Sequence, residues 1–292
     1  MLNIEHIDSF LDNLLYHKNY SKETISNYKR DLKQLNSFIG DSDITTLTHQ
    51  DVLAWVKKEH GKGSSPKTLQ RKLSTVRSFF NFLINSAIVT TNPALNIKAP
   101  KASKRLPKAI NVNELSFLLD ITPTNDIEAR DIASFDLLYS CGIRLSELSA
   151  IELKDINYSQ NSIRVTGKGN KERIAYFGNK TSVSLDRWLA IRNNFNPQTN
   201  HLLISRDGNK LCNRSIQKRL ELFAQRYASK HIHPHMLRHS FASHVLDSSK
   251  DLLAVKDLLG HADISSTQIY THLNFQQLAD VFDKAHPRAK KK

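Results

Sequence analysis

"LLGHADISSTQIYTH", residues 258–272, sets a tyrosine, Tyr270, among small and polar residues rather than in an apolar block. A phenol, with a pKa of about 10, attacks nothing at neutral pH unless cations and a proton acceptor surround it. If Tyr270 is a nucleophile and not a surface residue, other parts of the chain must supply those groups. The fold must then gather distant residues around one hydroxyl. His261, just past Gly260, reads either as a cap on the preceding helix or as a hydrogen-bond donor held at a turn.

Three further stretches could supply the partners. In "CGIRLSEL", residues 141–148, Arg144 follows a helix-ending glycine and opens a new helix. Its planar guanidinium suits a phosphate, and Glu147 is placed to hold it, although an Arg–Glu pair at this spacing is also an ordinary structural feature. In "TGKGNKER", residues 166–173, Lys168 sits at a glycine-flanked hairpin tip, where it is either solvated or free to swing into a site. In "HPHMLRHSFASH", residues 233–244, His235 and Arg238 are three apart and share a helix face behind the helix-starting Pro234. One can handle a proton while the other binds an anionic oxygen. His235 and His239 also have the spacing of a zinc helix, but no Glu follows the first histidine and neither cysteine is near, so no metal or other cofactor is expected. Two arginines, a lysine and two histidines around one tyrosine suit transfer of a phosphoryl centre without a metal. The guanidiniums neutralise non-bridging oxygens, His and Lys manage protons, and the phenol forms a covalent intermediate.

Charge points to the same kind of substrate. The 292 residues carry 42 Lys plus Arg against 28 Asp plus Glu, a formal +14. Such a field favours nucleic acid or an anionic membrane surface. Two cysteines, Cys141 and Cys212, make no disulfide framework, the start lacks a signal-peptide pattern, and no apolar run is long enough to span a bilayer. A cytoplasmic, nucleoid-associated protein with DNA as its partner, and no membrane, is expected.

Residues 1–98 predict a helical bundle. Ile25, Tyr28, Leu32, Leu35 and Ile39 recur at helical spacing behind a capping Ser21, and Leu69, Leu73, Val76, Phe80 and Leu83 do so behind Ser65 and Pro66. Lys67, Arg71, Lys72 and Arg77 read as a basic face on the second of these helices, able to meet DNA or merely solvated. "APKASKRLPKA", residues 99–109, has four cations, two prolines and no acid, and reads as a basic linker in which Lys104 and Arg105 could lie along a phosphate backbone. Residues 110–292 are mixed: a helix–break–helix at Gly142, and a hairpin in which Ile163 and Val165 are answered by Ile174 and Tyr176. Four helices follow, near 182–192, 213–228, 235–247 and 251–259, then a short one carrying Tyr270 and a last one from Asn274 to about Ala285. The fold class expected is mainly α with a small β-sheet.

Arg144, Lys168, His235-x-x-Arg238, His261 and Tyr270 resemble the ordered catalytic set of the tyrosine recombinases, the phage-integrase-like family. The length and the ending "HPRAKKK" are most similar to the Xer subgroup of XerC type. The resemblance implies a two-domain DNA clamp, with an N-terminal helical bundle and a mixed α/β catalytic domain. It assigns Tyr270 as nucleophile, Arg144 and Arg238 as phosphate clamps, Lys168 as acid to the leaving oxygen, His235 as proton carrier and His261 as donor to a non-bridging oxygen. It further implies a dif-like duplex site, a XerD-type recombinase in a heterotetrameric synaptic complex, a DNA-translocating division protein as regulator, and a final helix that docks on a neighbouring protomer. A type IB topoisomerase, a mobile-element integrase and a non-enzymatic DNA-binding regulator are the competing expectations.

Overall fold

The computed structural model describes residues 2–18, 20–100, 109–167, 171–259 and 285–289. It divides into two compact units, Met1–Arg105 and Leu106–Lys292. The division falls inside the basic stretch 99–109.

The first unit is helical. α1 (Leu2–Asp12) runs into a π-helical turn, Asn13–His17, and is followed by α2 (Lys22–Ile39), α3 (His49–Gly61) and α4 (Pro66–Asn85). Local chemistry fixes the starts. Ser21 and Ser65 accept from the amides of Thr24 and Thr68, and Thr48 forms a reciprocal cap with Asp51. Leu32, Leu35, Trp55, Val76, Phe79 and Phe80 fill the core, with the Phe10 ring edge-on to Phe79 at 5.5 Å.

The second unit is organised around α6 (Asp126–Ser140), which is buried at every position from Glu128 to Ser140. Preceding it is α5 (Val112–Leu119); following it are α7 (Leu145–Ala150), a three-stranded antiparallel sheet of β1 (Ile156–Asn157), β2 (Ser162–Thr166) and β3 (Glu172–Tyr176), and then α8 (Asn179–Arg192), α9 (Asn213–Tyr227), α10 (Pro234–Ser249) and α11 (Leu252–Leu259). α8 begins three residues before the expected 182.

A helix buried all round must satisfy its polar side chains internally. Asp136, fully buried on α6, accepts from the hydroxyls of Ser140, Thr181 and Ser184 and from the Arg288 guanidinium at 2.7 Å. Arg288 also reaches Asp120 at 2.9 Å. Residues 285–289 thus pack within their own unit, whereas most of the helix expected to dock on a neighbour, 274–284, lies outside the described residues. Among the described residues, no helix is long and apolar enough to cross a membrane.

The hairpin differs from the sequence reading. Ile163 pairs with Ala175 and Val165 with Arg173. Residues directly opposed in an antiparallel pair share a face, so Ala175 and Arg173 lie on the face of Ile163 and Val165. Ile174 and Tyr176 are one residue out of step, on the opposite face. The alternation holds within each strand; the register between strands depends on the turn, which sequence periodicity does not fix.

Candidate active site

After α6 the backbone turns at Gly142, with φ +55°. A Cβ built there would lie 2.4 Å from the Phe241 ring on α10, so only glycine fits both the conformation and the space. The turn delivers Arg144 as the N-cap of α7. Its amide donates to Glu147 Oε2 at 2.8 Å and its guanidinium to Oε1 at 2.7 Å. Glu147 is buried, while the Arg144 side chain is 37 % exposed. The carboxylate therefore anchors a guanidinium that still faces solvent.

Arg238 comes from the first turns of α10. It donates to the Gly142 carbonyl and, at 2.8 Å, to the carbonyl of Leu259 at the end of α11. Pro234 occupies the first turn of α10, and the His233 side chain accepts from the Met236 amide. Arg144, Arg238, His233 and an exposed His235 line a cavity of about 140 Å³. Gln217 on α9 also lines it. No motif marks Gln217 in the sequence.

A third guanidinium stands outside the expected set. Arg173, on the buried face of β3, donates to Glu147 Oε2 at 3.0 Å, with its side chain 15 % exposed. The register correction explains why sequence reasoning missed it: read on the opposite face, Arg173 looks like a solvated strand residue.

The site is short of negative charge. Among the described residues, three guanidiniums gather about one carboxylate. Burial, then the like charge of Arg144, push Arg238 down to about 10, well below the usual guanidinium range. Burial would raise the Glu147 carboxyl, but the Arg144 amide and the Arg173 guanidinium outweigh it and hold the group below the usual carboxylate range. An arrangement with such an excess of fixed positive charge is built to receive an anion, and planar guanidiniums suit phosphate oxygens.

Lys168, His261 and Tyr270 lie outside the described residues, as do Lys104 and Arg105. The histidine-rich segment is not gathered about a point. His244 is buried with Nδ1 2.9 Å from the Tyr139 hydroxyl, whereas His231 and His235 are exposed. Among the described residues, no three His, Cys, Asp or Glu side chains are placed to hold a metal ion.

The basic face expected on α4 requires correction. Lys72 is buried, paired with Glu59 beneath the Trp55 ring. Arg71 pairs with the fully buried Asp31. Arg77 donates to the carbonyls of Ala94 and Ile97 and so fastens the segment after α4. α4 is enclosed on most of its circumference, so its cations found structural partners; Lys67 alone of the four is exposed. Exposed cations instead line a groove of about 470 Å³ on α2 and the end of α3: Lys29, Arg30, Lys33, Lys58 and Lys62. Its lining includes a single carboxylate, Glu59, already paired with Lys62 and Lys72.

The profile of the Phage integrase family matches residues 108–277, and that of the Phage integrase, N-terminal SAM-like domain, matches residues 7–86. With the arginine-lined site on a mainly helical catalytic unit, this settles the class: the chain belongs to the phage integrase family and is a tyrosine-type site-specific DNA recombinase. Within that family it is XerC-like. It is 43% identical over 294 residues to Tyrosine recombinase XerC of Alcanivorax borkumensis, covering 99% of this chain and 96% of that one. To Tyrosine recombinase XerC of Shewanella amazonensis it is 42% identical over 287 residues, covering 98% and 97%. The fold also matches XerH site-specific recombinase bound to palindromic difH substrate, at a TM-score of 0.71 and 22% identity, covering 91% of this chain and 81% of that one.

Proposed function

We propose that this recombinase resolves chromosome dimers at a dif-like site, together with a XerD-type recombinase in a heterotetrameric complex under control of a DNA-translocating division protein. The observation that carries the chemical reading is the convergence of Arg144 and Arg238 on one small cavity with insufficient negative charge around them. The XerC relatives, and a fold shared with a recombinase bound to difH, support the choice of site and partner.

Both units contact the duplex. The Tyr270 hydroxyl oxygen attacks the scissile phosphorus, forming a 3′-phosphotyrosyl ester while the bond to the 5′ oxygen breaks. His235 takes the phenolic proton, and Lys168 gives one to the departing 5′ oxygen. Arg144 and Arg238 neutralise the non-bridging oxygens as charge builds, and His261 donates to one of them. The 5′-hydroxyl of the partner strand reverses the attack, so the ester conserves the bond and no nucleotide triphosphate is consumed. Lys67, Lys104 and Arg105, with the groove cations, meet the phosphate backbone.

A dif-like duplex nicked beside the scissile phosphate tests this. Covalent protein–DNA adduct formed with the wild-type chain and absent from Tyr270→Phe supports the chemistry. Strand exchange that needs an added XerD-type protein supports the biological role; efficient exchange by this chain alone points to a single-recombinase or mobile-element system.

A further inference from the structure

Arg173 is not one of the residues to which the proposed mechanism gives a role, yet its placement is specific. Glu147 is the shared acceptor of two guanidiniums that arrive from different elements. Arg144 comes from the start of α7 and binds Oε1; Arg173 comes from β3 and binds Oε2. The same Oε2 takes the Arg144 amide. Gly167, at the end of β2, packs against Glu147 as well: a Cβ there would lie 3.4 Å from Oε1. The hairpin is thereby held against the carboxylate that aims Arg144. Arg173 is too enclosed to present its own charge freely, and its Nε is buried with no hydrogen-bond partner among the described residues.

We propose that Arg173 is a positioning residue: by fixing Glu147 from the hairpin side, it holds the Arg144 guanidinium where the scissile phosphate binds. Without it, Glu147 keeps one guanidinium partner and gains freedom to rotate, and Arg144 rotates with it. An ångström of misplacement in such a contact costs up to about a hundredfold in rate. The consequence falls on chemistry and leaves duplex affinity, which rests on many phosphate contacts, nearly unchanged. The inference rests on the reading of Arg144 as a phosphate clamp.

The test is single-turnover cleavage of a nicked dif-like duplex by prebound Arg173→Gln, Arg173→Lys, Glu147→Gln, Arg144→Ala and the Arg173→Gln/Glu147→Gln double variant, with melting temperatures confirming folding. The expected result is a loss of about tenfold or more for Arg173→Gln at an unchanged Kd, with most of the rate restored in Arg173→Lys, which keeps the charge on Glu147. The double variant is no slower than the slower single, because both act through one link. A methylphosphonate at the scissile position removes the charge that Arg144 neutralises. On that substrate the penalties of Arg144→Ala and Arg173→Gln shrink together. Additive losses, or an Arg173→Gln penalty of the same size on both substrates, overturn the proposal. If Arg144→Ala itself cleaves at the wild-type rate, it is the underlying phosphate-clamp reading that fails.

Discussion

Arg238 Nη2 lies 2.8 Å from the Leu259 carbonyl, joining the start of α10 to the end of α11. Leu259 is followed directly by the segment that carries His261 and Tyr270. One guanidinium thus caps the helix that precedes the stretch bearing the proposed nucleophile, and also lines the cavity of about 140 Å³. Arg238→Ala is expected to lower the cleavage rate by orders of magnitude, since a preorganised charge contact of this kind is worth about 3 kcal/mol or more in the transition state. Arg238→Lys keeps a charge but cannot serve both carbonyls and a phosphate, and is expected to fall between. Rates from prebound single-turnover cleavage decide this.

Metal removal is expected to change nothing. Guanidiniums, not a divalent ion, supply the charge in the proposed step. Covalent adduct formation on a prebound duplex in excess chelator, compared with the untreated reaction, gives the answer; abolition by chelator reinstates a metal-dependent mechanism.

The cations of the first unit separate into two groups that salt titration distinguishes. Lys33→Ala with Lys58→Ala, in the exposed groove, is expected to reduce the slope of log affinity against log salt by about one for each phosphate left without its cation. Lys72→Met is expected to leave that slope unchanged while lowering the melting temperature, because Lys72 is already paired with Glu59. Equal slopes in all three proteins would move the DNA-facing surface elsewhere.

Stability is expected to fall on the acid side of neutrality. His286 is fully buried, its ring 4.9 Å from that of Tyr139 and 5.3 Å from that of Phe241. Burial, then the charge of Arg288, push it down to about 3 from 6.5. His244 is lowered in the same direction by burial. The unfolded chain takes up the His286 proton as the pH drops through about 6.5, and the folded chain does not until about 3. Stability is therefore complete above about pH 6.5 and declines below it, by about 1.4 kcal/mol per pH unit from His286, with His244 acting in the same direction. Denaturant unfolding at pH 7 and pH 5 measures the slope, which is expected to flatten in His286→Phe.

Much of this fold is visible in the sequence. Helix starts are announced by single side chains, Ser21, Ser65 and Pro234 among them, and helical spacing places Leu32, Leu35 and Val76 inside. The Arg144–Glu147 pair is legible because both partners lie within one helical turn. What stayed hidden depends on elements far apart in the chain. Lys72 and Glu59 look like surface charges until α3 and α4 are packed. Arg173 is recognisable only once the β2–β3 register is known, and Gln217 only once α9 is seen beside α10. Arg288 and His286 sit in a short basic stretch whose composition suggests solvation; the burial of Arg288 follows from Asp136, more than 150 positions earlier, which needs a counter-charge, and His286 packs against the Tyr139 and Phe241 rings.

Gly142→Ala is expected to destabilise the second unit by about 2 kcal/mol or more, through a positive φ and a clash with the Phe241 ring. Cleavage is expected to fall further than the melting temperature alone explains. Combining it with Phe241→Leu, which removes the ring, gives the comparison: relief of the Gly142→Ala defect in the double variant identifies the steric contact as its origin.

That contact has a wider meaning. Arg144 lies two positions after Gly142, and Arg238 three before Phe241, so the ring seated in the missing Cβ sets the gauge between two like charges. Electrostatics would drive the pair apart in the empty enzyme and draw it together around a phosphate. A rigid spacer removes that response. On the proposed reading of Arg144 and Arg238 as phosphate clamps, the backbone spacing beneath the two is settled when the chain folds, not when DNA arrives.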